Sequence, residues 1–330
     1  MRVLVTGGCG YIGSALVPRL QADDGVPQVT VLDNLSTGSP ANLAGADLVR
    51  DDLAFREGDV RDYGAIEAAM RDIDAVIHLA AITGAESTHE RAAETRAVNL
   101  QGTENVLKAA RKFDIEHVVF ASSCNNYGRA ESREIDETVD PDPINPYAQA
   151  KYESEQLLAE YADDYGMETT ALRMSTNYGY APGIRFNLVV NAFVFRALTN
   201  RPLTVYGDGS NWRPFVHVED AARSFLHATT RPDEWPQRVY NVGANAANYR
   251  IERVAEIVDE ELDRELDISY LREKQPGPSY HVNFDRLEDI GFQLQWSLPA
   301  GITDLAGRLG SVTHAPDESH RSVSREETDV

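Results

Sequence analysis

Lysine is almost missing from this chain. Only Lys108, Lys112, Lys151 and Lys274 stand among 31 basic residues; the rest are arginine. Positive charge as a whole is short, with 53 acidic residues and a net charge of -22. Such a field repels nucleic acid and anionic membranes, so neither is an expected partner. It is tolerable where salt screens like charge, which points to a protein of a high-salt cell. Cysteine is scarce too. Cys9 and Cys124 are too few for a disulfide framework and read as two thiols. No run of about 20 apolar residues exists, so no membrane-spanning helix is expected. The N-terminus, MRVLVTGGCGYIG, has no basic region followed by an apolar stretch and a cleavage site. A signal peptide is therefore not expected, and the cytoplasm is the expected compartment. The sequence has no internal repeat, and no metal site is expected.

What is present is a large folded protein. Across 330 residues, 42% are hydrophobic and 8% aromatic, enough for a sizeable core and, by length, about two domains. Short apolar runs predict strands at Arg2–Thr6, Gln28–Leu32, Leu53–Glu57, Ala75–Leu79, His117–Ser122 and Glu168–Arg173. Helical periodicity lies between them, near Ile12–Ala22, Tyr63–Met70, Ala92–Lys112 and Pro146–Tyr165. Strands that are apolar throughout, alternating with helices, predict an α/β fold with a doubly wound parallel sheet covered on both faces. After residue 174 the rhythm breaks into Gly- and Pro-rich stretches. The expected organisation is a nucleotide-binding domain over 1–173, with returns near 215–229 and 238–243. Phe215–Val218 and Arg238–Val242 are the runs that read as returns to the sheet. A smaller mixed α/β C-terminal substrate lobe is expected over 174–310, with helices near Leu188–Thr199 and Ile251–Leu262. Residues 311–330, polar and without period, read as a disordered tail.

Gly7, Gly10 and Gly13 stand directly after the first strand and run into a helix. Glycine at these spacings allows a tight turn, close backbone approach to a pyrophosphate, and helix-to-sheet packing, with the helix N-terminus receiving the negative charge. Tyr11 and Ile12 lie in the same turn. The second strand ends in Asp33-Asn34, where an acid pairs with both adenosine ribose hydroxyls and repels a 2′-phosphate. No arginine follows at 34–37, so NAD is the expected cofactor. Asp59-Val60 follows the third strand, and Asp59 is a candidate acceptor for the adenine amino group.

Tyr147 and Lys151 are spaced four apart at the start of a helix, behind Asn145 as N-cap and Pro146 at the first helical position. That spacing puts both side chains on one face. A tyrosine with an ordinary pKa near 10 is a poor base at neutral pH. A neighbouring ammonium and the positive nicotinamide ring both favour the phenolate.

Taken in order, the glycine loop, Asp33, Asp59-Val60, His78-Leu79-Ala80-Ala81, Val98 through Thr103, Ser122-Ser123 before Tyr127-Gly128, and Tyr147 with Lys151 resemble one family. It is the extended short-chain dehydrogenase/reductases, which hold UDP-galactose 4-epimerase and the nucleotide-sugar dehydratases. The resemblance spans about residues 1–310 and implies a Rossmann sheet and a homodimer built on the helices Ala92–Lys112 and Pro146–Tyr165. It implies that Ser123 holds the sugar hydroxyl that loses its proton, that Tyr147 is the base and Lys151 its electrostatic partner. Asn99 supports the lysine side, and Leu79, Ala80 and Ala81 line the cofactor. Thr83, Thr176, Asn187, Leu188 and Asn191 face a nucleotide-diphosphate sugar, as does Arg213, which suits bidentate pairing with a diphosphate. Arg272 approaches the same phosphates, and His217 is structural. The acid-rich, lysine-poor composition is in turn similar to that of haloarchaeal proteins.

Cys124, Asn125 and Asn126 stand where dehydratases carry acidic residues. Acid-assisted elimination needs a proton carrier there, so a 4,6-dehydratase is disfavoured. On a continuing strand Cys124 faces away from the side a catalytic cysteine would occupy. The leading reading is an NAD-dependent nucleotide-sugar epimerase, most simply of the UDP-glucose/UDP-galactose 4-epimerase type. The alternatives are another NAD-dependent nucleotide-sugar dehydratase, reductase or synthase, or a catalytically silent NAD-binding protein. Thr176, where galactose epimerases usually carry asparagine, leaves the sugar and the nucleotide open.

Overall fold

Val3, Leu4 and Val5 of β1 (Arg2–Thr6) are fully buried, because strands flank β1 on both edges and helices cover both faces. The computed structural model describes residues 1–84, 87–128, 135–262, 266–274 and 277–313. β1 pairs in parallel with β2 (Gln28–Asp33), which pairs with β3 (Leu53–Glu57). On its other edge β1 pairs with β4 (Ala75–His78), followed by β5 (His117–Ser123), β6 (Glu168–Met174) and an edge strand at Val239–Val242. All seven are parallel, and sequence order runs outward in both directions from β1. The crevice beyond the C-terminal ends of β1 and β4 is where the strand order reverses, and where such sheets bind ligands.

Helices α1 (Tyr11–Gln21) and, later in the chain, Val218–Thr230 cover one face with Leu16, Leu20, Ala222 and Phe225. On the other face lie α2 (Tyr63–Ala69), α3 (Ala92–Arg96), α4 (Gly102–Lys112) and α5 (Pro146–Tyr165), with Ile66, Val106, Leu107 and Leu158 inward. The expected single helix Ala92–Lys112 is broken by a π turn at Ala97–Gln101. Such insertions disturb the regular ladder and re-aim side chains.

Beyond β6 the chain forms β7 (Thr176–Tyr178), α6 (Val189–Leu198), β8 (Leu203–Tyr206) and β9 (Trp212–His217), then α7 (Val218–Thr230) and β10 (Val239–Val242). After these come β11 (Asn248–Arg250), α8 (Ile251–Leu262), β12 (Ile268–Leu271), α9 (Asp285–Asp289) and α10 (Leu298–Thr313). Here the expectation for Phe215–Val218 is corrected. β9 pairs with β7 and β11 in a separate three-stranded sheet, and only β10 returns to the large one. A short buried run has the same pattern in either sheet, so periodicity cannot separate them. α6, α8 and α10 close around Val194, Phe215, Val258 and Ile302 as a second core. α10 carries helix to Thr313, past the expected start of the tail; residues 314–330 lie outside the described residues. No helix among the described residues is long and apolar enough to cross a membrane.

Candidate active site

Gly7 leaves β1 with φ +72°, and its N–H donates to the Leu32 carbonyl at 2.8 Å. A Cβ there would sit 2.6 Å from the Ala80 nitrogen, and one on Gly13 would sit 2.5 Å from the Gly8 carbonyl oxygen. Gly10 caps α1 with no side chain in the way, leaving first-turn N–H donors of Tyr11 and Ile12 at an open helix start suited to an anion. The cradle therefore fits a dinucleotide diphosphate.

Asp33 is buried, and its two oxygens accept the Cys9 and Leu35 N–H groups at 2.9 and 2.8 Å. The carboxylate expected to pair with the ribose thus braces the glycine loop. Asn34 donates to Asp59 Oδ2 at 2.8 Å, so two residues expected around the adenosine do meet. Arg61 pairs with Asp59 through Nε and Nη2 at 2.9 and 2.7 Å. That guanidinium holds the Asp59 carboxyl well below the usual range and is itself neutralised. Val60 is buried behind Gly102, where a Cβ would approach it to 2.6 Å.

After β4, Leu79, Ala80 and Ala81 run alongside the loop. Asn99, at the π turn and fully buried, clamps the next residue: its amide accepts from Ile82 N–H at 2.7 Å and donates to Ile82 C=O at 2.8 Å. Thr83 follows, half-buried. His78 is held between Thr6 and Thr103, and burial lowers its pKa to about 3, so it is a neutral pin.

α5 starts as its sequence dictates, with Asn145 Oδ1 accepting the Ala148 N–H at 2.9 Å and Pro146 in the first turn. Ser123 ends β5, and its hydroxyl acts on the phenol of Tyr147 in the first turn of α5. One turn on, Lys151 is 2% exposed, with Nζ 4.5 Å from the centre of the Phe120 ring. Burial lowers the Lys151 pKa to about 7, opposed by Glu155. Burial raises the Tyr147 phenol above its ordinary value; the Ser123 hydroxyl and the charge of Arg185 pull it back. Arg185 is thus a further cation acting on the phenol, beside the Lys151 expected to do so from one helical turn along.

Arg185 is the functional residue that reading the sequence missed. Its segment is docked on the glycine loop: Gly183 N–H donates to Ser14 Oγ at 3.0 Å, and Asn191 Nδ2 donates to the Arg185 carbonyl at 3.1 Å. Its guanidinium donates to Asn187 at 3.3 Å and has no carboxylate partner among the described residues. Only the Gly179–Gly183 glycine pair hinted at such a close approach.

The other expected substrate residues divide. Thr176 is half-buried on β7, Asn187 is exposed and Leu188 caps α6. Asn191 is fully buried, bonded to Gly179 N–H at 2.9 Å and to the Tyr11 hydroxyl at 3.1 Å, so it pins the small lobe to α1. Arg213 lies 4.7 Å over the Tyr280 ring, and Arg272 is exposed near Asp208. His217 stacks on Trp296 at 4.3 Å and caps α7. The strand argument for Cys124 is corrected: β5 ends at Ser123 and the chain winds into a 3-10 turn, Cys124–Tyr127. There the thiol donates to the Arg173 carbonyl, and burial raises its pKa to about 12, so it is not a base. Both cysteines are free thiols.

Residues 3–243 match the model of the NAD dependent epimerase/dehydratase family. A putative UDP-glucose 4-epimerase of Methanocaldococcus jannaschii is 30% identical over 91% of this chain and 95% of its own length. The crystal structure of Thermus thermophilus UDP-glucose 4-epimerase in complex with NAD superposes with a TM-score of 0.81 at 30% identity, covering 94% of this chain and 99% of that one. DesIV from Streptomyces venezuelae, a dTDP-glucose 4,6-dehydratase with NAD bound, gives 0.84 at 29% identity, covering 94% and 97%. With the glycine cradle, Asp33 and the Ser123–Tyr147–Lys151 cluster in place, this chain belongs to the NAD-dependent epimerase/dehydratase family of nucleotide-sugar enzymes.

Proposed function

We propose that the enzyme is a nucleotide-sugar 4-epimerase of the UDP-glucose/UDP-galactose type. The observation that carries this is the turn after Ser123. Cys124 is bonded to a backbone carbonyl, Asn125 accepts from the Tyr280 hydroxyl at 3.1 Å, and Asn126 is buried against Ser122 and Glu155. No carboxyl from that turn stands ready to protonate a leaving hydroxyl, so acid-assisted elimination lacks its proton carrier.

Gly7, Gly10, Gly13 and Asp33 are the residues to hold NAD, which when bound supplies a hydride acceptor that can return what it takes. Ser123 Oγ orients the sugar C4 hydroxyl. Tyr147 Oη accepts its proton and later gives it back. The charges of Arg185 and Lys151 favour the phenolate that must be present for that transfer. Arg213 and the exposed Asn187 support a diphosphate at the lobe. The family resemblance also implies a homodimer through the Ala92–Lys112 segment and α5.

The test is incubation with UDP-, dTDP- and GDP-sugars, followed by NMR. Interconversion of UDP-glucose and UDP-galactose without net NADH is expected. A 4-keto-6-deoxy sugar as product would overturn the proposal in favour of a dehydratase.

A further inference from the structure

α5 carries a third side chain in register with Tyr147 and Lys151. Glu155 follows Lys151 by one more helical turn, and it faces Arg173 of β6. Both side chains are 5% exposed, with Nη2 to Oε2 at 2.7 Å and Nε to Oε1 at 3.0 Å. Glu155 Oε1 also accepts the Ser122 hydroxyl and Asn126 Nδ2. Arg173 Nη1 donates to the Tyr127 hydroxyl at 2.9 Å, which donates to Asn241 at 2.7 Å. The Arg173 carbonyl accepts the Cys124 thiol. Ser122, before Ser123, is therefore tied to the Glu155 carboxylate, and Cys124, after it, to the Arg173 backbone.

A buried ion pair is weak ground for stability, since apolar replacements of similar volume often do as well. The surroundings give it another task. From β4, His78 faces Lys151 but is neutral. From α5 itself, Glu155 is the acid that acts on Lys151. Around Tyr147 stand Ser123 and Cys124 from the β5 end, Arg185 from the loop before α6, and Tyr280 before α9. Arg173 from β6 and Glu137 act on Cys124 and Tyr127. The charge balance beneath the catalytic helix thus rests on Glu155 against Arg173.

We propose that Glu155 and Arg173 are positioning residues, a buried and charge-balanced brace that holds Ser123 and Lys151 from beneath and sets the pH window in which Tyr147 and Lys151 work. This rests on Tyr147 and Lys151 carrying the chemistry, as proposed above.

The brace is tested first without substrate. Because the chain has four lysines, lysine-selective 13Cε labelling allows the Lys151 titration to be followed by NMR. Glu155→Gln removes a negative charge, so Lys151 should titrate about one pH unit lower; Arg173→Met should move it about one pH unit higher. Glu155→Gln/Arg173→Met, which restores the balance, should return it to the parental value. In the pH–rate profile for UDP-galactose, both limbs of each single variant should shift in the same sense as Lys151. Their kcat should fall about ten- to a hundredfold as Ser123 loosens, with KM little changed. A pair that only stabilises the fold gives equal losses and no opposed shifts, and that result overturns the proposal. Where a single variant does not fold, the double variant decides: Lys151 displaced by about one pH unit or more overturns it. Near-parental turnover by Tyr147→Phe would instead overturn the acid–base reading, a separate result.

Discussion

Arg185, on a loop 38 positions further along the chain than Tyr147, is the cation that opposes the effect of burial on the Tyr147 phenol. The guanidinium has no carboxylate partner among the described residues, so its charge is not cancelled locally. Removing it by Arg185→Gln should let the phenol titrate higher, by about one pH unit. The acidic limb of the kcat profile then moves up, and turnover below that limb falls about tenfold for each pH unit the limb moves. Arg185→Lys should keep most of the effect. Steady-state kcat from pH 5 to 10 checks this; an unmoved limb in Arg185→Gln would count against it.

Much of this site was legible because its parts are local. β1 and its glycines follow from an apolar run and a turn, and Tyr147 with Lys151 from helical spacing behind Asn145 and Pro146. The rest depends on contacts distant in sequence. Arg185 gains its role when Gly183 packs on Gly10. Asn191 is drawn inward by Tyr11 and Gly179, although Asn187, one helical turn earlier, is exposed. Asn99 clamps Ile82 through a π turn that helical periodicity smooths over. Phe215–Val218 could be recognised as buried, but the identity of its partner strands is not encoded in its own alternation.

Acid should destabilise the protein through its buried histidines. Burial lowers His78 to about 3, and His117 and His217 to about 4, against about 6.5 in the unfolded chain. As pH falls below about 6.5, the unfolded state takes up protons that the native state refuses, so stability drops with falling pH down to about 4. Three such groups make the loss several kcal/mol in order of magnitude. Melting curves should fall steadily from pH 7 to 4.5. A melting temperature that stays level from pH 6.5 to 5 would contradict the neutral assignment of these rings.

Salt should raise stability. With 53 acidic residues against 31 basic ones, self-repulsion at low ionic strength opposes the compact state. Raising salt from about 0.1 M to about 1 M shortens the screening length from about 10 Å to about 3 Å, which weakens that repulsion more than it weakens close ion pairs. KCl titration with thermal melts and UDP-galactose turnover should show both rising toward molar salt. Equal melting points and equal rates in dilute and molar KCl would refute the high-salt expectation.

The sharpest expectation concerns Tyr147 itself. Tyr147→Phe keeps the ring and its packing and removes the proposed proton acceptor, on which the Ser123 hydroxyl acts. Loss of a general base costs about 10²–10⁴-fold in rate. Substrate binding should hardly change, because one hydroxyl contributes only about 1 kcal/mol net. Lys151→Ala should slow turnover by a different route. It removes a cation one helical turn from the phenol, so the phenolate forms at higher pH and the profile moves up. The two variants are therefore separable: Lys151→Ala regains rate as pH rises, while Tyr147→Phe stays low throughout. If kcat for UDP-galactose in Tyr147→Phe lay within about tenfold of the parent, less than the smallest loss expected of a missing base, the proton would have to leave through another group, and Ser123 would be the residue to examine next.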